Sequence, residues 1–253
     1  MKISAVILTK NEESNIKKVI SDLRFCDEIL VIDDNSEDKT VNIAGELGVR
    51  VIPRKSLGDF AGQRNFAMEQ AQNDWILFVD ADERVSEKLK KEIIEKLTKD
   101  SNEIDAYYLK RRDFWWGREL KYGEVMRSRN TGIIRLVRKK SGHWLGKVHE
   151  IFQTNQKTEQ LTAFLDHYPH PDIKSFLSEI NYYSTLRAKE LLQKKTKTSL
   201  TVTVFYPLFK FILNYFLYLG FLDGSPGFVY AFMMSFHSFL VRAKLYQYSN
   251  DLY

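Results

Sequence analysis

Cysteine is almost absent: Cys26 is the only one in 253 residues. An intramolecular disulfide is therefore excluded, and so is a zinc site built on several thiolates; this suits a reducing compartment. A glycine-rich phosphate loop is missing too. No GxGxxG follows an apolar run, which removes the fingerprint of a dinucleotide-dependent dehydrogenase. The Met1–Leu8 stretch is too short for the apolar core of a secretion signal, and polar Thr9-Lys10-Asn11-Glu12 follows at once. The expected location is the cytoplasm. No internal repeat is present. At 44% hydrophobic and 28% charged residues the composition is ordinary for a globular protein, and the length allows a full core without staples.

What is present is unevenly spread. The net charge of +5 conceals a segment, residues 110–140, that holds eleven Lys and Arg against three acids. Such focus predicts an anionic partner: a phosphorylated substrate, a membrane surface or nucleic acid. A solvated face of scattered charge is the plainer alternative.

The first hundred residues alternate short apolar runs with helical patterns. Strands are expected at Ile3–Leu8, Glu28–Ile32, Val49–Ile52 and Trp75–Val79. Helices are expected at Glu12–Leu23 with Asn11 as N-cap, Ser36–Leu47 with Ser36 as cap, Asp59–Ala71 and Ser86–Leu97. This predicts an α/β fold, a mostly parallel sheet with helices on both faces. Further strands are expected at Ala106–Lys110, Ile133–Arg138 and Val148–Phe152, then a helix over Phe176–Gln193.

The end of the chain differs. Leu200–Leu222 is apolar over 23 residues except for Lys210, Asn214 and a few Thr; Asp223–Gly227 marks a turn; Phe228–Val241 is a second apolar stretch of 14 residues. The first is long enough to cross a bilayer, which needs about 20 residues, and the second is not. The expectation is an apolar helical hairpin lying in the membrane interface, with packing into a homodimer as the alternative.

Ligands of open parallel sheets bind beyond the carboxyl ends of the strands, where strand order reverses. With the order 3-2-1-4, three polar clusters converge there: Thr9, Asn11, Glu12 and Glu13; Asp33, Asp34, Asn35 and Ser36; Asp80, Asp82 and Glu83. Asp80-Ala81-Asp82 is the sharpest, since two carboxylates at the end of a buried strand can reach a divalent cation such as Mg²⁺ or Mn²⁺. Sixteen Asp in 253 residues predict about one Asp-x-Asp by chance, so the position directly after Ile76–Val79 carries the weight.

Four motifs then fall in order: AVILTKNEE at 5–13, VIDDNSEDKT at 31–40, GQRN at 62–65 and FVDADE at 78–83. Together they resemble the family 2 glycosyltransferases, whose nucleotide-sugar-binding domain has the GT-A fold. RLVR at 135–138, VHE at 148–150, DHY at 166–168 and the apolar tail are similar to a bacterial subgroup that includes lipopolysaccharide-core glucosyltransferases. The resemblance implies a nucleotide-binding half over 1–100 and an acceptor half over 101–198, with the tail over 199–253.

It also implies roles. Thr9, Asn11 and Glu12 line the nucleoside pocket, Asp34 holds the uracil or ribose, and Arg64 contacts the nucleotide. Asp80 faces the ribose or donor sugar, and Asp82 holds the divalent cation on the diphosphate. An inverting displacement needs one base on the acceptor hydroxyl. Glu150 is favoured for it, with His149 as an alternative base or a further metal ligand, Asp113 as the other alternative base, and Trp115 and Trp116 beside Asp113 as sugar platforms or core. The implied activity moves a hexose from a nucleotide-sugar donor, UDP-linked by expectation, to a lipid-linked or lipopolysaccharide-core saccharide, at the inner face of the cell membrane. A sugar-nucleotide pyrophosphorylase is disfavoured, because no glycine follows the first strand. A nucleic-acid-binding module is disfavoured because it leaves the carboxylate crevice without a role; nucleic acid is not an expected partner.

Overall fold

A computed structural model describes residues 1–99, 103–146 and 150–250. Packing divides the chain into two units, Met1–Arg112 with Ser128–His167 and Asp113–Arg127 with Tyr168–Tyr253.

The first unit opens with β1 (Ile3–Thr9), α1 (Ile16–Asp22), β2 (Glu28–Asp33), α2 (Thr40–Glu46), β3 (Arg50–Pro53), α3 (Phe60–Gln70) and β4 (Trp75–Asp80). β5 (Glu83–Val85), α4 (Glu87–Lys99) and β6 (Ala106–Trp115) follow. β6 carries the chain out of this unit after Arg112. β7 (Arg118–Leu120) and α5 (Met126–Asn130) come next, then β8 (Ile133–Arg138), a hairpin of β9 (His143–Leu145) and β10 (Ile151–Gln153), and β11 (Thr158–His167). The strand order is β3-β2-β1-β4-β8-β6-β11-β5. The β3-β2-β1-β4 part is parallel, as expected, while β8 runs antiparallel to β4 and to β6, and β11 antiparallel to β5.

Alternation along β1 explains the helices on both faces. Ile3, Ala5 and Ile7 point into a core with Ile16, Val19 and Ile20 of α1 and Leu89 and Ile93 of α4. Val6 points the other way, to Ala67 and Met68 of α3. A period of two on a sheet buried on both sides gives this division.

Local capping differs from expectation at two places. α1 begins at Ile16 rather than Glu12, and Asn11 does not cap it. Asn11 takes a left-handed backbone (φ 56°), and its side chain accepts from the Glu37 amide at 2.8 Å. Ser36 likewise caps no helix: its hydroxyl donates to Asp33 at 2.6 Å and accepts from the Asn11 amide at 2.8 Å, and α2 starts only at Thr40. Both polar side chains tie the β1 and β2 loops together instead.

In the second unit, residues Asp113–Trp115 of β6 pair with β7, and α6 (Ile173–Gln193), α7 (Leu200–Ile212) and α8 (Gly224–Ser249) form a helical layer. Packing groups α6 with the tail rather than with the chain before it: Phe176 and Ile180 of α6 share a core with Met233 of α8, and the Lys244 ammonium of α8 donates to Asn181, Ser184 and Thr185 of α6. The expected turn at Asp223–Gly227 is displaced. Gly224–Gly227 form the first turn of α8, where Pro226 lacks no needed amide. The reversal lies earlier, through Tyr218 and left-handed Leu219. α8 is accordingly 26 residues long, not 14.

Glu92 of α4 ties the helix to β11. It accepts from the Thr162 amide (2.8 Å) and hydroxyl (2.9 Å) and from the Ala163 amide (2.7 Å). Burial raises its pKa, but these hydrogen bonds outweigh that and hold the carboxyl below the usual range. A depressed folded-state pKa contributes stability that is present above the unfolded value, about 4.3, and lost as pH falls through the folded value. Glu92→Gln should therefore cost about 1–2 kcal/mol in urea unfolding at pH 7. The gap between the two proteins should close once the pH lies below the folded-state value.

Candidate active site

β1 lies between β2 and β4, so its carboxyl end is the point where strand order reverses. The registers Thr9↔Asp33 and Leu8↔Asp80 put three strand ends side by side. On the β2 side the Asp34 amide donates to the Thr9 carbonyl at 2.9 Å. The Asp34 carboxylate accepts from the Ser56 amide (2.7 Å) and hydroxyl (2.6 Å), with the Lys10 ammonium 3.6 Å away. The Glu12 amide donates to Thr40 at 2.7 Å. Thr9, Asn11, Glu12 and Asp34 thus stand in one cluster. The Thr9 hydroxyl oxygen is buried, with no hydrogen-bond partner among the described residues.

On the β4 side the acids are crowded. Arg64 of α3, only 3% exposed, bridges two of them. Its Nε donates to Glu150 Oε1 at 2.8 Å and its Nη2 to Asp80 Oδ1 at 2.9 Å. The guanidinium lies 5.4 Å from the centre of the Phe78 ring and 5.0 Å from that of Trp144, so stacking fixes its plane. Arg135 of β8 reaches Asp80 Oδ2 at 2.5 Å and Glu83 Oε1 at 3.2 Å. Glu83 Oε2 accepts from the Asp80 amide at 2.9 Å, and Arg111 stands 3.9 Å from Glu83.

Burial opposes charge on both Asp80 and Glu83, with opposite outcomes. At Asp80 the two arginines win, and the carboxyl is held far below the usual range. At Glu83 burial wins, and neighbouring Asp80 adds to it, so its pKa is raised despite Arg135. The Asp80 and Glu83 charges in turn hold the proton on Arg135, against burial. Two donors in this cluster, Arg64 Nη1 and Arg135 Nε, are buried without a hydrogen-bond partner among the described residues.

Asp82 leaves the strand on the same side and meets His167 at the end of β11, with Oδ2 3.1 Å from Nε2. Burial raises the Asp82 pKa, but the imidazole outweighs it and the carboxyl is lowered. Arg112 grips the neighbouring Asp166 with two hydrogen bonds, 2.7 and 3.0 Å, and so anchors the strand end that presents His167. A carboxylate oxygen beside an imidazole nitrogen is a donor set that suits a divalent cation with positions left for phosphate oxygens. Among the described residues no three His, Cys, Asp or Glu converge to hold a metal by themselves.

The expected site residues therefore gather at one crevice edge, with two exceptions. Asp113 is fully buried and belongs to the second unit, where Trp115 is core and Trp116 is half exposed against it. His149 lies outside the described residues. Three residues of the site were not expected, His167, Arg135 and Arg111, and Glu83 was expected at the strand ends but without a role. Arg135 carried a signal, an arginine amid the apolar strand Ile133–Val137, and His167 stood in the DHY motif without a role. The basic 110–140 segment is also partly absorbed here. Arg111, Arg112 and Arg135 pair with Glu83, Asp166 and Asp80, and Arg138 with Asp74 and Asp105.

Residues 4–157 match the model of glycosyl transferase family 2. The chain belongs to that family. It is 30% identical over 252 residues to the lipopolysaccharide core biosynthesis glycosyltransferase LpsC of Rhizobium meliloti, covering 97% of this chain and 92% of that protein. It is 32% identical over 257 residues to an uncharacterized glycosyltransferase of Rickettsia typhi, covering 96% of this chain and 86% of that protein. Among solved structures, TarS of S. aureus in complex with UDP-GlcNAc superposes with a TM-score of 0.52 at 16% identity, covering all of this chain and 93% of that one. Glucosyl-3-phosphoglycerate synthase of Mycobacterium tuberculosis gives 0.51 at 17% identity, covering 78% and 81%. The fold is GT-A, and this family 2 member is a glycosyltransferase.

The buried ion pairs of this glycosyltransferase generate a stability prediction. Arg135→Leu strands Asp80 and Glu83 against one another in the interior, and removing one partner of a buried pair costs about 3–5 kcal/mol. Urea unfolding should show that loss, and a difference under about 1 kcal/mol would contradict the role given to Arg135.

Proposed function

We propose that this glycosyltransferase moves a hexose from a UDP-linked donor to a lipopolysaccharide-core saccharide with inversion at the anomeric carbon. The observation that carries the reading is the junction of Asp80, Asp82 and Glu150 with Arg64, Arg135 and His167 at the β1–β4 strand ends. The UDP-sugar bound by TarS supports the donor class, and the kinship with LpsC supports the acceptor class.

Each residue then has a task. Thr9, Asn11, Glu12 and Asp34 bind the nucleoside, the buried Thr9 hydroxyl being free to pair with it. Asp82 and His167 hold a divalent cation, which when bound offsets the charge of the departing diphosphate. An imidazole nitrogen among the donors favours Mn²⁺ over Mg²⁺, which prefers an all-oxygen shell. Glu150, fixed through one oxygen by Arg64, takes the proton of the acceptor hydroxyl as that oxygen bonds to the anomeric carbon. The bond to the diphosphate breaks and its electron pair leaves with the UDP. One guanidinium thus positions both the base and the donor-side carboxylate Asp80.

The test is transfer from UDP-hexoses to a purified core oligosaccharide, with the anomeric configuration of the product read by NMR. Inversion is expected. Glu150→Gln keeps the shape but cannot accept a proton, so kcat should fall by about 10²–10⁴ while donor affinity stays near wild type. A retained anomeric configuration would refute the displacement. An unchanged kcat would rule out Glu150 as the base.

A further inference from the structure

The tail is amphipathic in the reverse of the usual sense. Along α7 and the turn after it, the residues facing inward are Thr203, Pro207, Lys210 and Asn214, at helical spacing. Their polar atoms are met inside the second unit. Lys210 Nζ and Asn214 Nδ2 reach the Glu124 carboxylate at 3.1 and 2.8 Å, and the Ser235 hydroxyl of α8 donates to the Pro207 carbonyl. The outward face is apolar. Phe205, Leu208, Phe209, Phe216 and Leu217 are each between 54% and 64% exposed. A soluble surface helix turns its apolar stripe inward. One that turns it outward is matched to an apolar medium, and soluble proteins rarely expose a continuous patch of this kind.

Charge identifies the medium. From Leu191 through Leu222 there is no Asp or Glu; Lys210 turns inward to Glu124 and Lys194 pairs with Glu190, while Lys195 and Lys197 are exposed with no carboxylate in the segment. At the far end of the face, beside exposed Leu222, a pocket of about 320 Å³ is lined by Arg118, Glu119, Lys121, Tyr122 and Asp223. The Asp223 carboxylate is engaged by the Lys121 and Tyr122 amides at 2.9 and 3.0 Å, and Glu119 lies 4.0 Å from the Lys121 ammonium; the exposed Arg118 and the exposed, loosely paired Lys121 form the cationic rim. Lysines at one end of an apolar face and a cationic pocket at the other are the arrangement that meets anionic headgroups around a lipid-immersed surface.

The mode follows from where the segment is pinned. Leu200–Leu217 is apolar enough to span a bilayer, with mean hydropathy 1.5. Its middle, however, is held to Glu124, and the Gly123 amide donates to the Tyr218 carbonyl at its end, 2.9 Å away. A spanning helix would carry Glu124 and its partners into the hydrocarbon, where charge is costly. We infer that α7 and the turn to α8 lie flat in the interface of an anionic leaflet. The outer aromatic and leucine side chains enter the acyl region, and Arg118 and Lys121 take a lipid phosphate. This stands apart from the transfer reaction, since it concerns the second unit alone.

The test is flotation of the full-length protein, free of detergent, with vesicles of phosphatidylglycerol and phosphatidylethanolamine or of phosphatidylcholine alone. The expected result is binding to the anionic vesicles that weakens with added salt. The triple variant F205E/F209E/L217E, at three exposed positions, should lower the bound fraction about tenfold or more, with unchanged circular dichroism and unchanged transfer to a soluble oligosaccharide. R118E/K121E should lower binding to the anionic vesicles and leave any binding to phosphatidylcholine as it is. Failure to float would overturn the inference. So would a detergent-free dimer that F205E/F209E/L217E converts to monomer, because the face would then belong to a second copy. Equal binding to both vesicle types would overturn the role of Arg118 and Lys121.

Discussion

Asp80, Asp82, Glu83 and Glu150 meet at the end of one buried strand, and like charges brought together out of water repel strongly. The site exists because Arg64 and Arg135 stand between them. Arg64 is contributed by α3 and Arg135 by β8, and each touches two carboxylates. Remove that compensation and the acids must take up protons or spread apart. The raised pKa of Glu83 marks how close the balance already lies. Much of the first unit serves this constraint. Phe78 and Trp144 clamp the Arg64 plane, the β9–β10 hairpin places Trp144, and the Arg112–Asp166 pair sets the end of β11 from which His167 reaches Asp82.

The same constraint accounts for the uneven charge of the chain. Part of the basic segment is internal neutralisation, since Arg111, Arg112, Arg135 and Arg138 all have carboxylate partners. Arg118 and Lys121 in the second unit are exposed and belong to the lipid-facing surface proposed above.

What the sequence made legible was local. The parallel order of the first four strands and the acid pair after β4 follow from short-range patterns of burial and charge, whereas Arg64 in GQRN is singled out by the family resemblance alone. What it concealed depends on distance along the chain. Arg64 and Glu150 are 86 residues apart, and Asp82 and His167 are 85, so no spacing rule connects them. Asn11 and Ser36 look like helix caps because their type favours caps, but cross-loop partners outcompeted the local ones. The Asp223–Gly227 segment has the composition of a turn, yet proline is tolerated in a first helical turn, and the reversal moved to Leu219.

The central claim is that this neutralised cluster, with Asp82 and His167 at its edge, binds a nucleoside diphosphate together with a divalent cation. Isothermal titration of UDP into the full-length protein, with Mn²⁺ and then with EDTA, tests it most directly. The account predicts binding at least about tenfold tighter with Mn²⁺, an increment lost in both Asp82→Ala and His167→Ala while the weaker metal-free binding persists. Equal affinity in Mn²⁺ and EDTA, or an increment that survives in both variants, would contradict it.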